Sequence, residues 1–354
     1  MIKNMRALKE FREGTAVILG KDVEHLFYDM RRDGVTQSLL SMWLTCRQKA
    51  RLYLEGWDSK YHKEALIDGN VGHACLERSY NLIREGRMTR PPSDRLSKAI
   101  VSRVEAQWYL ENAKPSAEAR EMVERACAVM EVLLPAYFDY WRKDFTDKRW
   151  VSLEEKFELP MAVTSMDNEV CTIPLRGKKD GTFRTPKGVW LFETKFKSQV
   201  DEEGIVATLG FETQVMIYML QTYFSGLDPK DPTKAVPRGC LYNIVRRATL
   251  RKKVKETIPE FAQRVKKDIA KRPDFYFMRM ESPLAPQDLH AFQKELQELL
   301  GDMWDWWRGL GRHYKNTYAC IGKLGKCQYL PVCSRGDYGT LAKRKVVFKE
   351  LEDY

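Results

Sequence analysis

Residues 172–197, TIPLRGKKDGTFRTPKGVWLFETKFK, decide the fold. Runs rich in β-formers flank Thr185-Pro186-Lys187-Gly188, a turn signal. Pairing Thr185 with Gly188 makes the flanks an antiparallel hairpin and sets Asp180 opposite Glu193. Directly opposed residues share a face. Lys195 lies two residues beyond Glu193, so it shares that face. An even loop keeps this register, whereas an odd loop or a bulge would break it. Trp190, Phe192, Thr194 and Phe196 form the other face, apolar enough to pack under helices.

The surrounding sequence extends this hairpin into an α/β core. Val151, Leu153, Phe157 and Leu159 fall on odd positions and predict a preceding strand. Residues 211–224 are apolar at helical spacing, and 239–247 read as a further strand. Upstream, helices are expected over 38–53, from a cap at Asn70 through His73, and over 95–112 and 116–144, with Pro115 between the last two. Downstream come a basic run (Arg246, Arg247, Arg251, Lys252, Lys253, Lys255), a helix near 258–271, a strand near 274–282 and a helix over 286–313. That last helix carries Trp304, Trp306 and Trp307, read as ordinary core. The chain thus reads as a helical region (1–149), a core (150–250) and a helical C-terminal region (251–354).

Two carboxylates brought together repel unless a cation joins them. Hard oxygen ligands suit Mg²⁺ or Mn²⁺. A lysine beside them can orient or deprotonate a water, or neutralise a phosphoryl oxygen. Asp180, Glu193 and Lys195 therefore have the parts for metal-assisted phosphodiester hydrolysis. The same three residues would equally make exposed cross-strand salt bridges.

Four ordered motifs resemble the PD-(D/E)XK nuclease superfamily, in particular its RecB-like branch. They are Gly69-x-x-x-His73-x-x-Leu76-Glu77, Gly177-Lys178-Lys179-Asp180, Glu193-Thr194-Lys195 and Gln214-x-x-x-Tyr218. The resemblance implies a restriction-endonuclease-like mixed sheet flanked by helices. It implies that Asp180, Glu193, His73 and the Thr194 carbonyl bind the metal. Lys195 would position the attacking water, and Gln214 and Tyr218 would face the site from one helix turn. Glu77 reads as structural. Glu154 and Glu155 precede Phe157 as they do in that branch, with no role assigned.

The chain has eight cysteines. Cys75, Cys127, Cys171 and Cys240 lie in apolar-periodic segments and read as small buried hydrophobes. Cys46 near one end and Cys320, Cys327 and Cys333 near the other resemble the iron–sulfur layout of AddB-type and CRISPR-adaptation-type relatives. That layout implies a [4Fe–4S] cluster stapling the C-terminal tail to the N-terminal region. The first tail gap is six residues, where the family usually has two. Zinc is the rival metal, though its short paired spacings are absent, and unligated thiols are the third reading.

The 354 residues carry a net charge of +11, which suits a phosphate-bearing partner. No long apolar run suggests a membrane span, and the opening MIKNMRALKEFREG lacks a signal-peptide core, so a cytoplasmic protein is expected. The expected activity is a Mg²⁺- or Mn²⁺-dependent deoxyribonuclease, more an exonuclease than an endonuclease. It would act on single strands or duplex ends in DNA processing, recombination or repair. No helicase motif is present, so any unwinding would need a helicase or recombination partner. The rival is a non-catalytic, cluster-bearing nucleic-acid-binding or assembly protein on a decayed nuclease fold, although decay normally costs a member of the Asp–Glu–Lys set.

Overall fold

The computed structural model describes residues 28–61, 63–112, 114–226, 236–311, 314–322 and 325–351; the opening stretch read above for a signal peptide lies outside them. The order of the main elements is β1 (Val35–Thr36), α1 (Gln37–Thr45), α2 (Arg47–Leu54), β2 (Trp57–Ser59), α3 (Glu64–Arg84), α4 (Asp94–Glu111), α5 (Ala117–Tyr140), β3 (Arg149–Thr164), β4 (Val170–Thr185) and β5 (Gly188–Lys197). Then come α6 (Thr213–Ser225), β6 (Pro237–Arg246), α7 (Ile258–Lys271), β7 (Phe277–Pro283), α8 (Pro286–Trp307) and β8 (Leu341–Lys343). No helix among the described residues is long and apolar enough to cross a membrane.

The molecule is a mixed α/β protein whose sheet is flanked by helices. By packing, the chain divides into two units, each made of non-consecutive segments. Among the described residues, one comprises 28–61, 156–177 and 290–351, and the other is mainly 63–155 with 178–289.

In the second unit β4 and β5 pair antiparallel in the expected register, from Thr185 opposite Gly188 to Gly181 opposite Phe192. β5 pairs parallel with β6, and β6 antiparallel with β7. Helix α3 packs on β5, and α6 on β5 and β6. Gly72 permits the approach of α3: a Cβ there would stand 2.3 Å from the Phe196 ring. Gly69, the glycine of the upstream motif, has nothing within 4 Å of its built Cβ. The core is aromatic. Tyr80, Tyr137, Phe138, Trp150, Phe192 and Phe277 are all buried, and Tyr80 meets Phe192 edge-on at 5.3 Å.

Three local expectations are corrected. Helix α3 starts at Glu64, so Asn70 lies inside it rather than capping it. The helices expected over 95–112 and 116–144 are present as 94–111 and 117–140, capped by Ser93 and Ser116, whose hydroxyls accept from Leu96 N and Ala119 N. The expected helix over 38–53 is two helices, broken where Cys46 turns extended (φ −163°). The odd-position rule in β3 holds from Phe157 to Val163 but fails before it, where Trp150 is buried and Val151 exposed. The cause is Glu154, whose φ of 47° is left-handed and shifts the alternation.

In the first unit Trp304 and Trp306 are buried, as expected of core. Cys75, Cys127 and Cys240 are buried, but Cys171 is only partly so.

Candidate active site

Strand β5 presents alternating faces. Thr194 is buried, and its hydroxyl accepts from Asn243 Nδ2 at 3.2 Å. Glu193 and Lys195 project the other way, where Lys195 Nζ donates to Glu193 Oε1 at 2.6 Å and to Gln214 Oε1 at 2.7 Å. Gln214 Nε2 in turn donates to the Tyr218 hydroxyl at 3.1 Å, across one turn of α6. The four side chains form a continuous relay from Glu193 to Tyr218.

Asp180 lies one residue beyond the last paired position of the β4–β5 ladder. There its Oδ2 accepts the Thr194 backbone N–H at 2.7 Å, so the side chain continues the ladder. His73 Nδ1 stands 3.6 Å from the same oxygen. Ligand atoms of His73, Glu154 and Asp180 lie within 4.8 Å of one another, a spacing that one metal ion can span.

Glu154 reaches this group from β3, and its Oε2 pairs with Lys178 Nζ at 2.8 Å. Sequence reading gave neither residue a role. Lys178 could have been found from parity, because it lies two residues from Asp180 in a strand. Lys179 points elsewhere and pairs with Glu155 at 3.2 Å. The left-handed backbone of Glu154 has no sequence marker, and such a conformation costs about 1–3 kcal/mol. Strain of this kind clusters at functional sites.

The electrostatics are those of a crowded acidic pocket. Burial, then the Asp180 charge, lifts the Glu193 carboxyl to about 7, against the pull of Lys195. Glu154 is lifted to about 7 by burial and Asp180, with Lys178 opposing. Burial raises Asp180 to about 6 despite Lys195 and the Thr194 N–H. Burial alone would lower Lys195, but Glu193 and Asp180 outweigh it and hold the ammonium firmly protonated. Burial pushes His73 down, toward the neutral imidazole that a metal requires. Glu193 Oε2 is buried and has no hydrogen-bond partner. A carboxylate oxygen stranded this way costs on the order of 1–3 kcal/mol or more, so a cation fits the donor set.

The expected site residues therefore come together: His73, Asp180, Glu193, Thr194, Lys195, Gln214 and Tyr218 form one connected group. The basic run is partly spent on the fold. Arg246 lies over the Phe275 ring at 4.1 Å, Arg247 pairs with Asp68 at 3.2 Å and Lys252 lies 3.6 Å from Glu121.

The four tail-type cysteines are all in the first unit. The Asn316 N–H donates to Cys46 Sγ at 3.4 Å, and Asn316 O accepts from Cys320 Sγ at 3.7 Å. The six-residue gap after Cys320 folds back through paired Ile321–Gly322 and Gly325–Lys326, which brings Cys327 N to Cys320 O at 2.9 Å. The longer spacing is thereby closed, with Gly325 left-handed at the turn (φ 97°). Burial raises the Cys333 thiol; Lys315 opposes, while Cys327, Cys46 and Cys320 add to the rise.

No family model matches the sequence, and no curated protein matches it. Among solved structures, one described as "Crystal structure of SSO0001" is 12% identical and aligns over 75% of this chain and 85% of that chain, with a TM-score of 0.23. A likeness at that score carries no argument about this chain.

Proposed function

We propose that this protein is a divalent-cation-dependent deoxyribonuclease, RecB-like, on a restriction-endonuclease-like core. The observation that carries the reading is Glu193 Oε2, buried and unpartnered beside Asp180, with a protonated Lys195 on the other oxygen of the same carboxylate. A surface salt bridge would leave no such atom buried.

Asp180, Glu193, His73 and the Thr194 carbonyl would hold Mg²⁺ or Mn²⁺. The bound cation supplies Lewis acidity at a phosphoryl oxygen and a nucleophile at neutral pH. Lys195, held protonated, acts as a donor: it orients a water or neutralises charge that develops on the phosphate. Gln214 fixes that ammonium through its Oε1, and Tyr218 fixes the Gln214 amide through its hydroxyl. The substrate class follows from the net charge of +11 and the motif set, and the products would carry 5′-phosphate and 3′-hydroxyl ends.

Cys46, Cys320, Cys327 and Cys333 are proposed to hold a [4Fe–4S] cluster. A closed zinc tetrahedron with bonds of about 2.3 Å would set its sulfurs about 3.8 Å apart. Among the described residues no three cysteine sulfurs lie within 4.8 Å of one another, so the assignment rests on the cysteine layout of the sequence. Anaerobically purified protein should be brown with stoichiometric iron, and Cys333→Ser should lose the colour. A colourless protein with bound zinc would reverse the assignment.

The activity is tested by incubating labelled single- and double-stranded DNA with the protein and Mg²⁺ or Mn²⁺, beside Lys195→Ala. Cleavage by the wild type alone is expected. Equal cleavage by both would remove the site assignment, and no cleavage of any substrate would favour the non-catalytic nucleic-acid-binding reading.

A further inference from the structure

The lysines of β4 and β5 are paired with one exception. Lys178 pairs with Glu154, Lys179 with Glu155 and Lys195 with Glu193. Lys197 ends β5 and is only partly exposed, yet among the described residues no carboxylate forms an ion pair with it. Burial, then the Lys195 charge, lowers its pKa, and Glu212 opposes them from beyond ion-pair distance. A partly buried ammonium without a counter-ion costs free energy. The position therefore suits an anion that the protein itself does not supply.

Its placement says which anion. Lys197 lies two residues beyond Lys195, so it shares the face that carries Glu193 and Lys195. Two strand residues span about 6.6 Å, close to the step between successive phosphates of an extended nucleic-acid strand. Lys195 is already committed to Glu193 Oε1 and Gln214 Oε1. Lys197 Nζ instead stands over the Tyr242 ring, 5.5 Å from its centre. Tyr242 is in register with Glu193 and buried, so the ring is a fixed floor that holds the ammonium without neutralising it. Arg246, the register partner of Lys197, is spent on the fold: its Nε donates to Phe275 O at 2.9 Å.

We propose that Lys197, held on the Tyr242 ring, is a subsite for the phosphate next to the scissile one. The substrate is then a nucleic-acid strand with at least two phosphates, one at the metal and Lys195 and its neighbour at Lys197. This rests on the nuclease reading above. An ammonium is a compact point charge that holds a phosphate without reading a base, so the subsite sets register along the strand and is indifferent to sequence.

The full chain and a labelled single-stranded oligonucleotide carry the test. Binding is read from anisotropy in EDTA over a range of salt concentrations. Lys197→Gln should bind about tenfold more weakly. It should also lose about 0.7 of the slope of log affinity against log salt, the share of one phosphate contact on a single strand. Lys197→Arg should recover the slope. An unchanged slope in Lys197→Gln would overturn the subsite, and an equal loss in Lys197→Arg would overturn it by assigning the effect to packing rather than charge. A second arm alters the substrate instead of the protein. With Mn²⁺, a neutral methylphosphonate one linkage to either side of the scissile phosphate should slow cleavage by the wild type at one of the two positions, and slow Lys197→Gln much less there. Equal slowing of both proteins at both positions would overturn the proposal. If the wild type cleaves no DNA, the nuclease reading fails, while the salt slope still decides whether Lys197 holds a phosphate.

Discussion

The second unit buries two ionic networks, reached from the two strands that flank β6, with opposite outcomes. Asp144 is fully buried, yet every contact is satisfied. Its carboxylate takes the Arg279 fork at 2.6 and 2.7 Å, Lys148 at 2.7 Å and the Tyr80 hydroxyl at 2.7 Å. Burial would raise its pKa, but Arg279 and Lys148 outweigh burial and hold it below the ordinary value. Glu193, equally buried, has one lysine on one oxygen and nothing on the other, and is pushed up to about 7. One network is satisfied as folded, and the other leaves a buried carboxylate oxygen without a partner, the atom for which a cation is proposed. The two touch through Asn243, whose Oδ1 accepts from Arg279 Nε at 3.0 Å and whose Nδ2 holds the Thr194 hydroxyl. The satisfied network thus anchors the strand that carries the unsatisfied one.

The largest expected effect of separating them is on catalysis. Lys195→Ala should lower the cleavage rate by about a thousandfold. It should leave the circular dichroism spectrum unchanged, since backbone pairing with β4 and β6 holds β5 in place. Arg279→Met should act the other way round. It strands the Asp144 charge and should cost about 3–5 kcal/mol of stability in urea unfolding. A loss below about 1 kcal/mol there would contradict the contrast.

The pH dependence should also differ in sign. Glu193 and Glu154 have folded pKa values raised above their unfolded ones, so the folded state binds their protons more tightly. Stability of the metal-free protein should therefore fall by about 1–3 kcal/mol as pH rises from about 4.5 to about 7. Asp144, with its lowered value, contributes stability above its unfolded pKa and loses it in acid. Urea unfolding in EDTA near pH 5 and pH 8, repeated on Glu193→Gln, reads the first effect; the variant should flatten the decline. Saturating Mn²⁺ should reverse it. The smallest effect is reserved for Lys179→Met. That side chain pairs with Glu155 away from the site, so cleavage should stay within about twofold of wild type.

Much of this site is legible in the sequence, because strand register is arithmetic. The turn at Thr185–Gly188 fixes where Asp180 and Glu193 fall, and the Gln214–Tyr218 spacing fixes one helical face. What escapes is local backbone. Glu154 leaves the β region with no glycine to announce it, so the parity of β3 is misread upstream of Phe157 and the Glu154 carboxylate goes unassigned. The break at Cys46 likewise goes unannounced, since neither Thr45 nor Arg47 beside it is a Gly or Pro that would mark a stop. The start of α3 at Glu64 escapes because Lys63, at the cap position, makes no side-chain cap hydrogen bond.

The most direct test of the central claim is a single Mn²⁺ titration of wild type and Glu193→Gln in which metal binding and DNA cleavage are followed together. Cleavage in the wild type should rise with occupancy of the metal site and vanish in EDTA, and Glu193→Gln should lose both. Cleavage that persists in EDTA, or in Glu193→Gln at wild-type rate, would contradict it.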